Sequence, residues 1–231
     1  ISSVPSIEPS YIGQLNSTHV DYLVSFPWWD SRINKTNFLR GTKIWAHPTV
    51  RMVQDMIADT GPNDAFIDIG ANVGFMTHYA VNSKRPVYAV EPISWNIAKL
   101  CEGVRANINR GWVDASIVRE NFHLFHAAAG PEFKPVVEIT RPSDELGKFD
   151  AASLSKDAIA QKDVVTERIP MITVDLLIPN DVNVGAVKID VQGHEYGVLL
   201  GMKKLLSRRV GYPKYVFYED DGGITKLAGY N

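Results

Sequence analysis

The stretch Phe66-Ile67-Asp68-Ile69-Gly70-Ala71-Asn72-Val73-Gly74-Phe75 constrains this chain more than any other. A short apolar run enters a glycine-rich turn, and the turn enters a segment whose apolar residues have helical spacing. Strand, tight turn, helix is the opening unit of a doubly wound α/β sheet. Glycine at 70 and 74 lets the backbone turn sharply, and it predicts a ligand that approaches without meeting a Cβ. The N–H groups that open the following helix favour an electron-rich group there.

Arg85-Pro86-Val87-Tyr88-Ala89-Val90-Glu91-Pro92 reads as a second buried strand ending in an acid. An acid at that place can accept hydrogen bonds from ribose hydroxyls. The turn is not the dinucleotide fingerprint, because Asn72 stands where its second glycine belongs. That glycine is what lets a pyrophosphate come close to the backbone, so NAD suits this turn poorly. A nucleoside without a pyrophosphate suits it better, and S-adenosylmethionine is the candidate. Val184–Val191 reads as a further strand, and Asp190, His194 and Glu195 cluster at its C-terminal end, where open α/β sheets bind ligands. His194 titrates near neutral pH. Either Glu195 or Asp190 orients it, or one of them takes a proton directly. Lys188, inside the strand, is placed to pair with an acid. Asp190 with Glu219 or Asp220 offers an alternative Mg²⁺ site, since carboxylates on neighbouring strand ends suit a hard cation.

Asp68-x-Gly70-Ala71-Asn72-x-Gly74, then Val90-Glu91-Pro92 with Asn96, then Val187-Lys188-Ile189-Asp190-Val191-Gln192-Gly193-His194-Glu195 together resemble the FkbM-type S-adenosylmethionine-dependent methyltransferases, over roughly residues 43 to 230. The resemblance implies an α/β Rossmann-like class I methyltransferase sheet with parallel core order 3-2-1-4-5. It implies methyl transfer to an oxygen of a small-molecule or glycan-like acceptor. It puts Asp68, Gly70, Asn72 and Gly74 at the cofactor, Glu91 and Asn96 at its ribose side, and Ala128 near the adenine. Asp190, His194 and Glu195 are then the catalytic candidates. Several residues keep two readings. Asp68 binds the cofactor through water or holds the turn by bonds to its N–H groups. Asn96 is a ligand contact or an exposed polar residue. Ala127-Ala128-Ala129-Gly130 leaves room for a flat ring or is a tightly packed strand end. The family usually has Glu where this chain has Gln192, and no sequence remains for the antiparallel hairpin that closes such sheets. Those two departures support a rival reading, a degenerate methyltransferase-fold subunit with a docking role in a larger assembly.

Composition narrows the alternatives. The 231 residues are 45% hydrophobic and 22% charged with a net charge of −2, an ordinary globular balance. The longest basic clusters are Lys203-Lys204 and Arg208-Arg209, which argues against a broad nucleic-acid surface. One cysteine, Cys101, excludes an intrachain disulfide and predicts a buried, inert thiol. No run approaches the ~20 apolar residues of a membrane span. The chain shows no signal segment, which reads as soluble, with a removed targeting segment left open because it begins at Ile1.

Two regions are expected, an extension over 1–42 and a methyltransferase-like domain over 43–231. The extension, with its aromatics Phe26, Trp28 and Trp29, is a lid, a docking arm for a protein partner, or a segment packed on the body. Within the domain, helices are expected from Pro48, over 73–81, from an N-cap at Ser94, and over 195–207. Strands are expected at Ala115–Val118, Asn121–Ala129, Val136–Thr140, from Ile169, and at Tyr215–Glu219. Residues 141–168 read as a polar surface excursion.

Overall fold

The structure is a computed structural model and describes residues 10–16, 21–27, 48–142 and 164–219. A five-stranded sheet forms its centre, from β3 (Ala65–Ile69), β4 (Val87–Glu91), β5 (Phe122–His126), β9 (Val184–Ile189) and β10 (Tyr215–Tyr218). All four neighbouring pairs are parallel. The spatial order is β5-β4-β3-β9-β10, which is the expected 3-2-1-4-5.

Every residue of β3 and β4 is buried, as central parallel strands covered on both faces must be. Their side chains alternate between two cores. Phe66, Val87 and Ala89 face one layer with α1 (Pro48–Ala58), α2 (Phe75–Asn82) and α3 (Ser94–Asn109). Ile67, Ile69, Tyr88 and Val90 face the other, with α5 (Val174–Leu177), α6 (Glu195–Leu200) and α7 (Lys203–Leu206).

A hairpin of β1 (Ser10–Asn16) and β2 (Asp21–Pro27) lies against the first layer. Tyr22 and Val24 are buried in the same core as α1–α3. Gln54 of α1 donates to the Tyr22 hydroxyl at 3.0 Å, and Ser25 donates to Glu102 of α3 at 2.7 Å. Asn107 of α3 grips the strand backbone: its Oδ1 accepts from Leu23 N at 2.9 Å and its Nδ2 donates to Leu23 O at 2.8 Å. Trp28, Trp29 and the Phe26 side chain lie outside the described residues and side chains.

Three local expectations are corrected. Ala115–Val118 is not a strand but the start of α4 (Ala115–Asn121), because Asp114 caps it by accepting from Ser116 N at 2.7 Å. The helix expected over 195–207 breaks into α6 and α7 at Gly201, where a Cβ would stand 2.1 Å from the Gly130 carbonyl oxygen. The new start is capped from afar, by Asp175 accepting from Lys204 N and Leu205 N at 3.0 and 2.8 Å. Ser94 is the first helical residue of α3 rather than its cap, and its N–H is taken by Glu167 at 3.0 Å.

The strands at 128–142 and 164–172 leave the main sheet and form a three-stranded one of their own, β6 (Ala128–Ala129), β8 (Val164–Ile172) and β7 (Lys134–Pro142) in that order. β7 and β8 are antiparallel partners, and residues 143–163 between them lie outside the described residues, as do 220–231. Among the described residues no helix is long and apolar enough to cross a membrane.

Candidate functional site

The turn between β3 and α2 alternates left-handed residues: Gly70 at φ 78°, Asn72 at φ 53° and Gly74 at φ 90°. Asparagine tolerates that region because its short side chain can bond locally, and Asn72 Oδ1 accepts from Val73 N at 2.7 Å. The turn is pinned to the sheet by Gly70 N and Ala71 N, which both donate to Val90 O, at 2.9 and 3.0 Å. The glycines make the sharp turn expected of them, at positive φ, and packing adds a second demand. A Cβ on Gly70 would stand 1.9 Å from the Asp190 carbonyl oxygen. One on Gly74 would meet His78 Nε2 and Leu100 Cγ, each at 2.9 Å. At both positions the place of a Cβ is taken by the protein's own atoms. His78, buried between Gly74 and Gly103, has its pKa lowered by desolvation to about 4, so it is a neutral packing group at pH 7.

Glu91 ends β4 and is 3% exposed. Its Oε2 accepts from Asn72 N at 2.8 Å, and its Oε1 accepts from Ile93 N at 3.0 Å and Asn96 Nδ2 at 2.9 Å. Burial raises the carboxyl pKa, and these bonds with the charge of Lys188 only partly offset it. A carboxylate offers roughly four acceptor positions, so one on Oε2 remains. Asn96 is buried, which removes the exposed-residue reading, and its Oδ1 has no partner among the described residues. Among the described residues Glu91 Oε2 thus keeps one acceptor position and Asn96 Oδ1 stays without a partner, both on buried side chains that are bonded to each other through Asn96 Nδ2. Ala128 is buried in a small cluster with Ile93, the second residue after Glu91. Next to it, a Cβ on Gly130 would lie 2.5 Å from Met171 Sδ, the mark of a tightly packed strand end.

Asp68 is 1% exposed and does not hold the turn by its N–H groups. Its Oδ2 accepts from Thr77 Oγ1 at 2.7 Å, and its Oδ1 lies 3.3 Å from Lys188 Nζ. Lys188 also donates to Gly70 O at 2.7 Å and lies 3.5 Å from Asp190 Oδ2. Burial would lower the Lys188 pKa, but the fields of Asp68 and Asp190 outweigh it and hold the pKa above its ordinary value. The expected pairing of Lys188 with an acid is therefore a pairing with two.

Asp190 has about a third of its side chain exposed (34%). Its Oδ1 accepts from Gln192 Nε2 at 2.8 Å. Glu195 is buried and turned into the loop, where its Oε1 accepts from Val191 N at 3.0 Å and Gly193 N at 3.1 Å. His194 folds over its own helix, so that a Cβ on Gly197 would come within 2.7 Å of its Nε2. That nitrogen is buried without a hydrogen bond among the described residues, and desolvation lowers the ring's pKa, so His194 is neutral. The three residues are neighbours, but His194 Nε2 bonds to neither acid. Cys101, expected buried, is half-buried, and burial pushes its thiol above the ordinary range. Among the described residues no group of three or more His, Cys, Asp or Glu is placed to hold a metal ion, and Asp220 lies outside them.

Sequence reasoning missed one cluster at the same edge of the sheet. His126, paired with Glu91 at the ends of β5 and β4, has its Nε2 3.0 Å from Pro92 O and 3.7 Å from Glu167 Oε2. Glu167 also lies 3.7 Å from Arg141 Nε. The bond to Glu167 raises the His126 pKa, desolvation notwithstanding. Desolvation pushes Glu167 up, but its bonds to His126 and Ser94 and the charge of Arg141 leave it below its ordinary value. Glu167 sits in a polar stretch, and nothing local marks it as the partner of residues this far away in the chain.

Comparison with curated proteins returned no match, and neither did comparison with solved structures. The family model of the methyltransferase FkbM domain matches residues 68–225, from the Asp68 strand to beyond β10 and well over half the chain, so the protein belongs to the FkbM methyltransferase family.

Proposed function

We propose that this methyltransferase uses S-adenosylmethionine and methylates an oxygen of a small-molecule or glycan-like acceptor. The observation that carries the cofactor reading is the pair of buried acceptors, on Glu91 and Asn96, left without a partner among the described residues beside the glycine turn. Two adjacent acceptors suit the two hydroxyls of a ribose. The fit extends to the neighbours. The turn of Gly70, Asn72 and Gly74 would hold the methionine end, with Asp68 behind it, and Ala128 with Ile93 would give the base an apolar wall.

The bound cofactor supplies an activated methyl group, which leaves the chain to align the acceptor and remove its proton. Asp190 is suited to the proton, because its carboxylate is partly exposed while Lys188 and Gln192 fix its direction. His194 is a neutral ring next to it, and its part would be to wall the site, because burial disfavours its protonated form. Glu195 shapes the loop through Val191 N and Gly193 N, so its part is to hold Asp190 and His194 in register.

A second reading, a subunit that keeps the nucleoside site without turnover, draws on Gln192. An amide there cannot exchange a proton as the family's usual Glu could. Calorimetric titration with S-adenosylmethionine and S-adenosylhomocysteine separates the cases. The proposal expects micromolar binding of both that is lost in Glu91→Ala, followed by methyl transfer when candidate alcohols are supplied. Binding without transfer to any acceptor supports the second reading. A folded protein that binds neither compound sinks both.

A further inference from the structure

Lys188 touches β3, the glycine turn and the end of β9 through one atom. Its Nζ meets Asp68 Oδ1 at 3.3 Å, Gly70 O at 2.7 Å and Asp190 Oδ2 at 3.5 Å. Two further contacts close the same seam. Asp190 N donates to Ile69 O at 3.0 Å, and the Asp190 carbonyl occupies the place of the missing Gly70 Cβ. The turn and the Asp190 end of β9 are therefore in direct contact, with a buried ammonium bridging the carbonyl of one and the carboxylate of the other. A buried ammonium is costly unless it is compensated, and here one hydrogen bond, to Gly70 O, is joined by two ion pairs, with Asp68 Oδ1 and Asp190 Oδ2. Moving Gly70 O would disturb this arrangement, and with it the fixed charge nearest Asp190.

We propose that Lys188 is a positioning residue that couples the glycine turn to Asp190, so that occupying the nucleoside site and setting the Asp190 carboxylate are one event. This rests on the nucleoside reading of the turn for its ligand, and on geometry alone for the lock. The coupling gives Lys188 a part in ordering the reaction: the acid that faces the acceptor reaches its working position only over a filled cofactor site. Coupling of this kind is reciprocal, so a group bound against Asp190 would tighten the nucleoside site by the same factor.

The test uses Asp68→Asn/Lys188→Met, which removes the buried cation together with its buried counter-charge and so leaves no lone charge behind. Asp68→Asn alone is the control that keeps Lys188. Amide exchange without ligand reads the lock. The Gly70 and Ala71 amides, bonded to Val90 O, should exchange on the order of tenfold faster in the double variant, about the effect of losing one charge-assisted bond. Amides of β7 and β8, in the separate three-stranded sheet, should keep their protection. The Asp190 carboxyl ¹³C resonance, assigned with Asp190→Asn, reads the coupling. It should shift when S-adenosylhomocysteine is added to the wild type and to Asp68→Asn, and stay fixed in the double variant at saturating ligand. Unchanged turn exchange in a folded double variant overturns the lock. An Asp190 response like that of the wild type overturns the coupling. If S-adenosylhomocysteine fails to bind the wild type, the cofactor reading falls and the coupling with it, while the exchange result still decides whether Lys188 holds the turn.

Discussion

Asn72 shows how one residue satisfies two demands that glycine would satisfy only in part. Its φ of 53° calls for a residue tolerant of the left-handed region, and its Oδ1 meets the Val73 N–H that the turn would otherwise leave open. Asn72→Ala keeps neither and should cost about 1–2 kcal/mol in urea unfolding. Asn72→Gly keeps the first and should cost less; the reverse order would contradict this account. Gly70 is harder to replace. Gly70→Ala drives a Cβ into a backbone carbonyl at 1.9 Å, and we expect a loss of about 3 kcal/mol or more. Gly74→Ala meets only side-chain atoms and should be milder in the same assay. These positions were legible in the sequence as glycines that had to be there. The sharp turn was a legible reason, but the packing demand was not, because the atoms that exclude a Cβ belong to Asp190, Leu100 and His78, and a local motif cannot show what packs across the sheet. Gln192 carries the same lesson. Its departure from the family pattern could be read directly, but its bond to Asp190 could not.

At the level of elements, the periodic segments were readable and the caps were not. The buried runs of β3, β4 and β9 announced a parallel sheet, and the apolar stripes of α1 and α3 announced their helices. α4 was misread because Val118 and Ile117 favour a strand while the deciding residue, Asp114, lies just outside the run. The start of α3 was misread because its N–H is met by Glu167, which lies on β8. That same carboxylate joins α3, β5 and β7 through Ser94, His126 and Arg141, and the junction should respond to pH. The His126 pKa is raised above its ordinary 6.5, so its contribution is full below that value and fades as pH rises through the shifted one. Glu167 lies below its ordinary 4.5, so its contribution is present above that value and fades as pH falls through the shifted one. The clip should be strongest between these two ordinary values. Thermal melting from pH 5 to 9 should therefore show a fall in the wild type above neutrality that is reduced in His126→Ala. Parallel curves for the two proteins would mean that the pair adds nothing to stability.

Over the whole molecule, the parallel sheet and its strand order followed from the motifs, whereas the attachment of the N-terminal hairpin did not. Residues 1–42 show little periodicity, and the strand β2 is held by side chains on α1 and α3 rather than by its own pattern. Tyr22 and Val24 are each worth about 1.5–3 kcal/mol when fully buried, and both lie in the core shared with Val50, Val53 and Tyr79. The polar side of the attachment is equally closed. Asn107 is buried and gives Nδ2 to Leu23 O and Gly103 O while its Oδ1 receives Leu23 N and Asn82 Nδ2. Asn107→Ala removes all four bonds and strands both backbone groups of Leu23, while Asn82 Nδ2 keeps its bond to Asp21 O. Each orphaned group costs about 1–3 kcal/mol, and some will recover water as the hairpin loosens. We expect a net loss of about 2–4 kcal/mol in urea unfolding, with faster amide exchange in β1 and β2 than in β3 and β4. A chain beginning at residue 43 should then expose the faces of α1–α3 that Tyr22 and Val24 cover, and lose its sharp unfolding transition. If the shortened chain unfolds as sharply as the whole one, the hairpin is an attached arm and the core ends at α1.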